Sequence, residues 1–392
     1  MLDIINVNVL SDGVCALEQY VRVKGSAVAE TGPMWSRTHS GADVIDGEGA
    51  YLCPGFIDIH NHGAMGFDTM DASHEAFDTI MKFHFEHGVS DCLLSTMTAP
   101  QADIQRTLDA LASYSPTVPV RMHGAHMEGP YLSANNCGVH PRSLLKDPDE
   151  DSHEFIERNA KVIRMLTIAP NLENAASFIS YCTDMGIAVF GGHDNAINCE
   201  IDACITSGMS GVTHLYCCTS TVGRRTGSYI KHTGLVEFCL GDSRLFAEII
   251  ADGYSVPEDL FRLVYKCKGY EKIILVSDSM MATGLGTGFF RLGSGADAVD
   301  VEVQGDVALL AGHSVFAGSV TTMAKMVARL IGEYGIPAEH VSYMASGASA
   351  ALLGLADSGA VKPGFRARLN LLDNQGNLKC VIADETIHYR EN

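Results

Sequence analysis

A chain of 392 residues with 46% hydrophobic and 19% charged side chains is too long for one small core and too apolar to be disordered. Its formal charge of −20 sets it against nucleic acid and anionic lipid, so an anionic substrate would need a local cationic pocket. The opening "MLDIINVNVL" has no basic leader and no run of 18 apolar residues follows. Neither secretion nor a membrane span is expected. The twelve cysteines contain no C-x-x-C pair and read as reduced thiols of a cytoplasmic protein.

In chain order, residues 1–53 carry short apolar runs such as "DIINVNVL" and "YVRVKGSAVAE", broken by turn residues, which predict a small β module. From residue 54 the texture changes to short apolar strands alternating with helical stretches. "FIDIH" comes first, and "VSDCLLST" follows the helical "SHEAFDTIMKFHFEHG". "VRMHGAHMEG", "VIRMLTIAP", "IAVFGGHDN", "GVTHLY", "LFAEIIADG" and "KIILVSDSM" complete the series. Eight strands in this rhythm predict an α/β fold, a (β/α)8 TIM-like barrel over residues 54–354, with an open doubly wound sheet as the competing layout. The stretch at 288–312 interrupts the rhythm and reads as a β-hairpin insertion. The last strands, within 355–392, are expected to join residues 1–53 in a small β-sandwich beside the barrel.

Active sites of such barrels lie where the strands end. The first strand ends in His60 and His62, the third in Glu128, the fifth in His193, the sixth in His214 and the eighth in Asp278. One such residue means little, but four histidines and two carboxylates on one rim point to a divalent metal. A nitrogen and carboxylate set without clustered thiolate suits zinc, with iron or manganese as other choices. Two ions fit: His60 and His62 with Asp278 for one, His193 and His214 for the other, and Glu128 between them. The fourth strand, "VIRMLTIAP", offers no lysine at its end for a bridging role. A cation lowers the pKa of bound water to about 7, and Asp278 is the candidate acid/base for the proton that remains.

"PGFIDIHNHG", "GAHMEGPYLS" followed by "GVHP", "GGHDNA", "GVTHLY", "IIADG", "LVSDSMMATGL" and "FAGSVTTM" together resemble the N-acetylglucosamine-6-phosphate deacetylases of the amidohydrolase superfamily. The resemblance implies a barrel flanked by a β-sandwich built from both termini, usually dimeric. It implies a metal hydroxide attacking an acetamide carbonyl to release acetate and an amino sugar phosphate. Glu128, His193 and His214 match the family's metal ligands, and His60 and His62 place the chain with its two-metal members. Asp278 matches the catalytic acid/base, and His140 of "GVHP" the histidine that polarises the carbonyl or contacts substrate.

The chain departs from the family on the substrate side. Cys217 and Cys218 stand where an Asn and an Ala usually grip the sugar, and Ser255 stands where a histidine usually contacts sugar or phosphate. A thiol is a weak hydrogen-bonding partner, and serine brings no charge. Arg224 or Arg225 is the candidate for phosphate, in a position from which the family's arginine often reaches the neighbouring subunit's site. The leading expectation is therefore deacetylation of N-acetylglucosamine 6-phosphate, a step of amino sugar metabolism. The alternative is the same apparatus acting on a different N-acetylated or cyclic amide.

Overall fold

The computed structural model describes residues 1–223, 229–293, 298–312 and 315–390. Eight parallel strands form the central sheet: β1 Phe56–Asp58, β2 Val89–Thr96, β3 Arg121–Glu128, β4 Ile163–Ile168, β5 Ala188–Gly191, β6 Gly211–Val212, β7 Phe246–Ile249 and β8 Ile273–Leu275. They are hydrogen-bonded in sequence order. The seam between β8 and β1 is closed just beyond the strands. Asp278 N–H donates to His60 O at 2.8 Å, and the Ser277 hydroxyl and N–H donate to the two oxygens of buried Asp58 at 2.6 and 3.1 Å. The expected (β/α)8 barrel is thus the architecture, and the open doubly wound layout is excluded.

Alternation with period two sorts the strand residues. Leu93, Met165, Phe190, Ile274 and Val276 share one buried apolar cluster. Their neighbours Cys92, Leu94, Leu166, Val189, Ile273 and Leu275 belong to a larger one, shared with the surrounding helices. The helices have local reasons to form. His74–Glu86 buries Phe77, Ile80, Met81 and Phe85 on one stripe and is capped by Ser73, whose hydroxyl accepts from Ala76 N–H. Glu150–Asn159 starts on Asp149, which exchanges side-chain hydrogen bonds with Ser152.

Residues 288–312 form a three-stranded antiparallel sheet, Gly288–Leu292, Val299–Gln304 and Val307–Leu310. Strands from both termini join as expected. Tyr51–Pro54 pairs with Leu2–Ser11 on one side and with Arg368–Leu372 on the other. The expected sandwich is one continuous eight-stranded sheet in its hydrogen bonding, rather than two separate sheets. Val21, Val23 and Val28 from one end of it share an apolar cluster with Leu369, Cys380 and Ile382 from the other. Among the described residues no helix is long and apolar enough to cross a membrane.

Candidate active site

The strand ends bring six predicted residues together. Glu128 is central. Its Oε1 lies 3.1 Å from His193 Nε2 and 3.0 Å from His214 Nε2. Its Oε2 lies 3.2 Å from His62 Nε2 and 3.7 Å from His60 Nε2. Asp278 Oδ1 is 3.4 Å from His60 Nε2 and 3.5 Å from His62 Nε2. All six residues are buried. His193, His214 and Asp278 have positive φ, of 47°, 29° and 46°, as do Tyr216 and Cys218 beside them. Left-handed backbone is costly for these residue types and collects where function sets the geometry.

Proton positions follow from the partners. His193 Nδ1 faces Asn136 O at 3.2 Å, His214 Nδ1 faces Cys217 O at 3.0 Å, and His60 Nδ1 faces the Glu248 carboxylate at 3.2 Å. Those oxygens only accept, so each Nδ1 carries a hydrogen and Nε2 is the nitrogen that faces inward, to bind a proton or a cation. The Nε2 atoms of His193 and His214 are 3.1 Å apart, as are those of His60 and His62. Imidazole Nε2 atoms and carboxylate oxygens converge here, a donor set that fits divalent cations. The same demand shows in the titration. Burial pushes His60 and His214 down, but Glu128 and Asp278, joined at His60 by Glu248, together outweigh it and both end above the ordinary histidine value. His193, where burial wins, falls to about 4. Metal binding would displace the protons that the carboxylates otherwise hold on the rings.

His140 has the opposite tautomer. Its Nδ1 lies 2.8 Å from the Thr98 hydroxyl and 3.4 Å from Thr98 N–H, which can only donate. Its Nε2 therefore bears the hydrogen and points toward Glu128 Oε2, 3.4 Å away. His140 lies close enough to Glu128 and His193 to count as a ligand by distance. Its proton makes it a hydrogen-bond donor rather than a bare-nitrogen ligand.

These groups floor a cavity of about 260 Å³. Cys217, Cys218 and Ser255 line it, as the sequence predicts, with Tyr216, Ile250 and Met280. Leu292 of the 288–312 insertion and Val315 and Phe316 just after it form another wall. Burial keeps both thiols protonated, Cys218 with a pKa near 12. The Ser255 hydroxyl is engaged by Asp252, to which it donates at 2.9 Å, so its one proton is not free for a phosphate oxygen. Among the described residues no lysine or arginine lines the cavity. Arg224 and Arg225 lie outside the described residues. The sequence reading passed over two buried groups, Glu248 behind His60 and His126 beneath it. His126 bridges the hydroxyls of Ser95 and Thr167, and its ring stands edge-on to His60 with centroids 4.4 Å apart. An acid inside the apolar run "LFAEII" was the available signal for Glu248.

Comparison with known proteins gives a consistent set. The model of the amidohydrolase family matches residues 51–387. The N-acetylglucosamine-6-phosphate deacetylase of Vibrio furnissii is 31% identical over 317 residues, covering 80% of this chain and 76% of its own. The N-acetylgalactosamine-6-phosphate deacetylase of Escherichia coli O157:H7 is 29% identical over 335 residues, covering 84% and 86%. Among solved structures, a mutant N-acetyl-D-glucosamine-6-phosphate deacetylase of Mycobacterium smegmatis in complex with N-acetyl-D-glucosamine-6-phosphate aligns with a TM-score of 0.89. It is 27% identical, over 99% of this chain and 98% of that one.

Proposed function

The chain belongs to the amidohydrolase family and within it to the N-acetylglucosamine-6-phosphate deacetylases, and from that premise we propose that it hydrolyses the acetamide of an N-acetyl amino sugar 6-phosphate. The products are acetate and the amino sugar phosphate, with N-acetylglucosamine 6-phosphate as the leading substrate. The observation that carries this reading is Glu128, with one carboxylate oxygen on each of two inward-facing histidine pairs.

His60, His62 and Asp278 would hold one divalent ion and His193 and His214 the other, with Glu128 shared. Such ions polarise a carbonyl and acidify water. The chain's own groups account for the rest. Asp278, at the cavity floor, takes the proton that water gives up and returns it to the nitrogen as the C–N bond breaks. The Nε2–H of His140 donates to the carbonyl oxygen, where negative charge develops. Glu128, surrounded by five imidazoles, has a carboxyl well below its ordinary range despite burial and stays ionised throughout.

Zinc is the metal that this nitrogen and oxygen set suits best. Twelve unbridged cysteines accord with a cytoplasmic enzyme of amino sugar metabolism. Arg224 or Arg225 supplies the phosphate charge that the described cavity wall lacks, in a chain that works as a homodimer. A second reading, the galactosamine epimer, is supported by the similarity to the N-acetylgalactosamine-6-phosphate deacetylase of Escherichia coli O157:H7. Acetate release by zinc-reconstituted protein tests both, with the two phosphorylated sugars compared against unphosphorylated N-acetylglucosamine. Release confined to a phosphorylated sugar is the expected result. Equal release from the unphosphorylated sugar would remove the phosphate from the proposal.

A further inference from the structure

We propose that Glu248 is a positioning residue that sets both halves of the metal centre at once, an inference that rests on the metal reading above. Glu248 sits in the middle of β7, fully buried, and makes no contact with a lysine or arginine among the described residues. Its Oε2 has two partners. One is His60 Nδ1 at 3.2 Å, and the other is the main-chain N–H of His214 at 3.1 Å. Its main-chain carbonyl accepts from Leu215 N–H at 2.9 Å, so the same residue grips the His214 segment twice.

Each contact has a distinct consequence. The carboxylate requires the hydrogen of His60 on Nδ1, which leaves Nε2 bare and turned toward Glu128 and Asp278. Negative charge behind the ring also raises the basicity of that nitrogen. His126 confines the ring on another side, so its plane as well as its tautomer is fixed. The bond to His214 N–H holds a residue whose φ of 29° it would not otherwise keep. That backbone conformation aims the His214 ring at Glu128 Oε1. His60 belongs to one histidine pair and His214 to the other. A single acid therefore registers two ligand sets contributed by strands far apart around the barrel.

A residue kept only for packing would tolerate an isosteric amide. Glu248→Gln keeps the shape, and its oxygen can still accept both bonds where Oε2 does, but it loses the negative charge behind the His60 ring. Zinc stoichiometry and affinity would be measured on stripped, refilled full-length chain by competition with a chromophoric chelator, alongside melting of the zinc-free forms. Wild type should take two zinc ions per chain. Glu248→Gln should melt like wild type when zinc-free, yet bind both ions at least about tenfold more weakly. Its kcat should fall while KM holds, and Glu248→Asp should recover part of the affinity. Wild-type affinity for both ions in Glu248→Gln would overturn the proposal.

Should that variant not fold, ring 15N shifts of zinc-loaded wild-type protein decide, with His60 assigned by its loss in His60→Asn. A proton on His60 Nδ1 supports the assignment, and a proton on Nε2 overturns it. A wild-type chain that takes up no zinc overturns the metal reading itself and this assignment with it.

Discussion

At the N-terminal rim of the barrel, buried Asp91 is met by Arg121 at 2.9 Å and His123 at 2.7 Å, and Arg121 continues to Asp357 at 2.8 Å. At the C-terminal rim, buried Glu128 and Asp278 are met by the inward Nε2 atoms of imidazoles whose Nδ1–H groups face main-chain oxygens or Glu248. The first cluster brings its own counter-ions and closes a structure. The second leaves its negative charge and its lone pairs waiting for a cation. Counting charged residues would rate the two alike, and only the direction of the protons tells them apart.

Four experiments press on that contrast. The largest effect is expected from Asp278→Asn, which should lower kcat for acetate release at saturating metal by roughly 10²–10⁴-fold. Near-normal turnover would remove Asp278 from the acid/base role. Next comes the cation itself. At about a thousand times its Kd, zinc should raise unfolding stability by about 4 kcal/mol, a gain that Glu128→Gln largely abolishes. If the metal-free protein melted identically with and without zinc, the C-terminal rim would be as self-sufficient as the other.

Asp91→Asn should do the reverse, costing about 3 kcal/mol in stability without changing zinc content. This pair also has a pH signature. Burial pushes the Asp91 carboxyl up, but His123 and Arg121 outweigh it and hold it below 3.8 in the folded chain. Its stabilisation is therefore present above that value and lost as pH falls through the lower, folded-state pKa. Denaturant titrations below pH 4 should show a shallower loss in Asp91→Asn than in wild type, and parallel curves would refute the linkage. The smallest effect is expected at the cavity wall, where Cys218→Ser should shift KM by less than about tenfold and leave kcat alone.

Much of this was legible in the chain. All eight barrel strands stand out because each is a short apolar run between amphipathic stretches, and a parallel strand buried on both faces needs that composition. His60, Glu128, His193, His214 and Asp278 were visible because a polar residue ending such a run has few structural excuses. Less was visible wherever a partner is distant in sequence. Thr98 settles the proton of His140 from 42 residues away, and Glu248 settles that of His60 from 188. Helix Leu235–Gly241 was not predicted, being short and capped by a glycine, nor were the helical turns between Met323 and Leu353, which two π-helical segments interrupt. The sandwich became a single sheet because Tyr51–Pro54 pairs on both edges, which no local pattern announces.

That last pairing has a consequence for biosynthesis. Tyr51–Pro54 finds Leu2–Ser11 as soon as the first fifty-odd residues have left the ribosome, but its other edge waits for Arg368–Leu372. Through nearly the whole of translation this strand offers unpaired N–H and C=O groups to any passing chain. Until then that edge is open to mispairing, and chaperone capture or truncation near residue 368 would be felt at Tyr51–Pro54 as well.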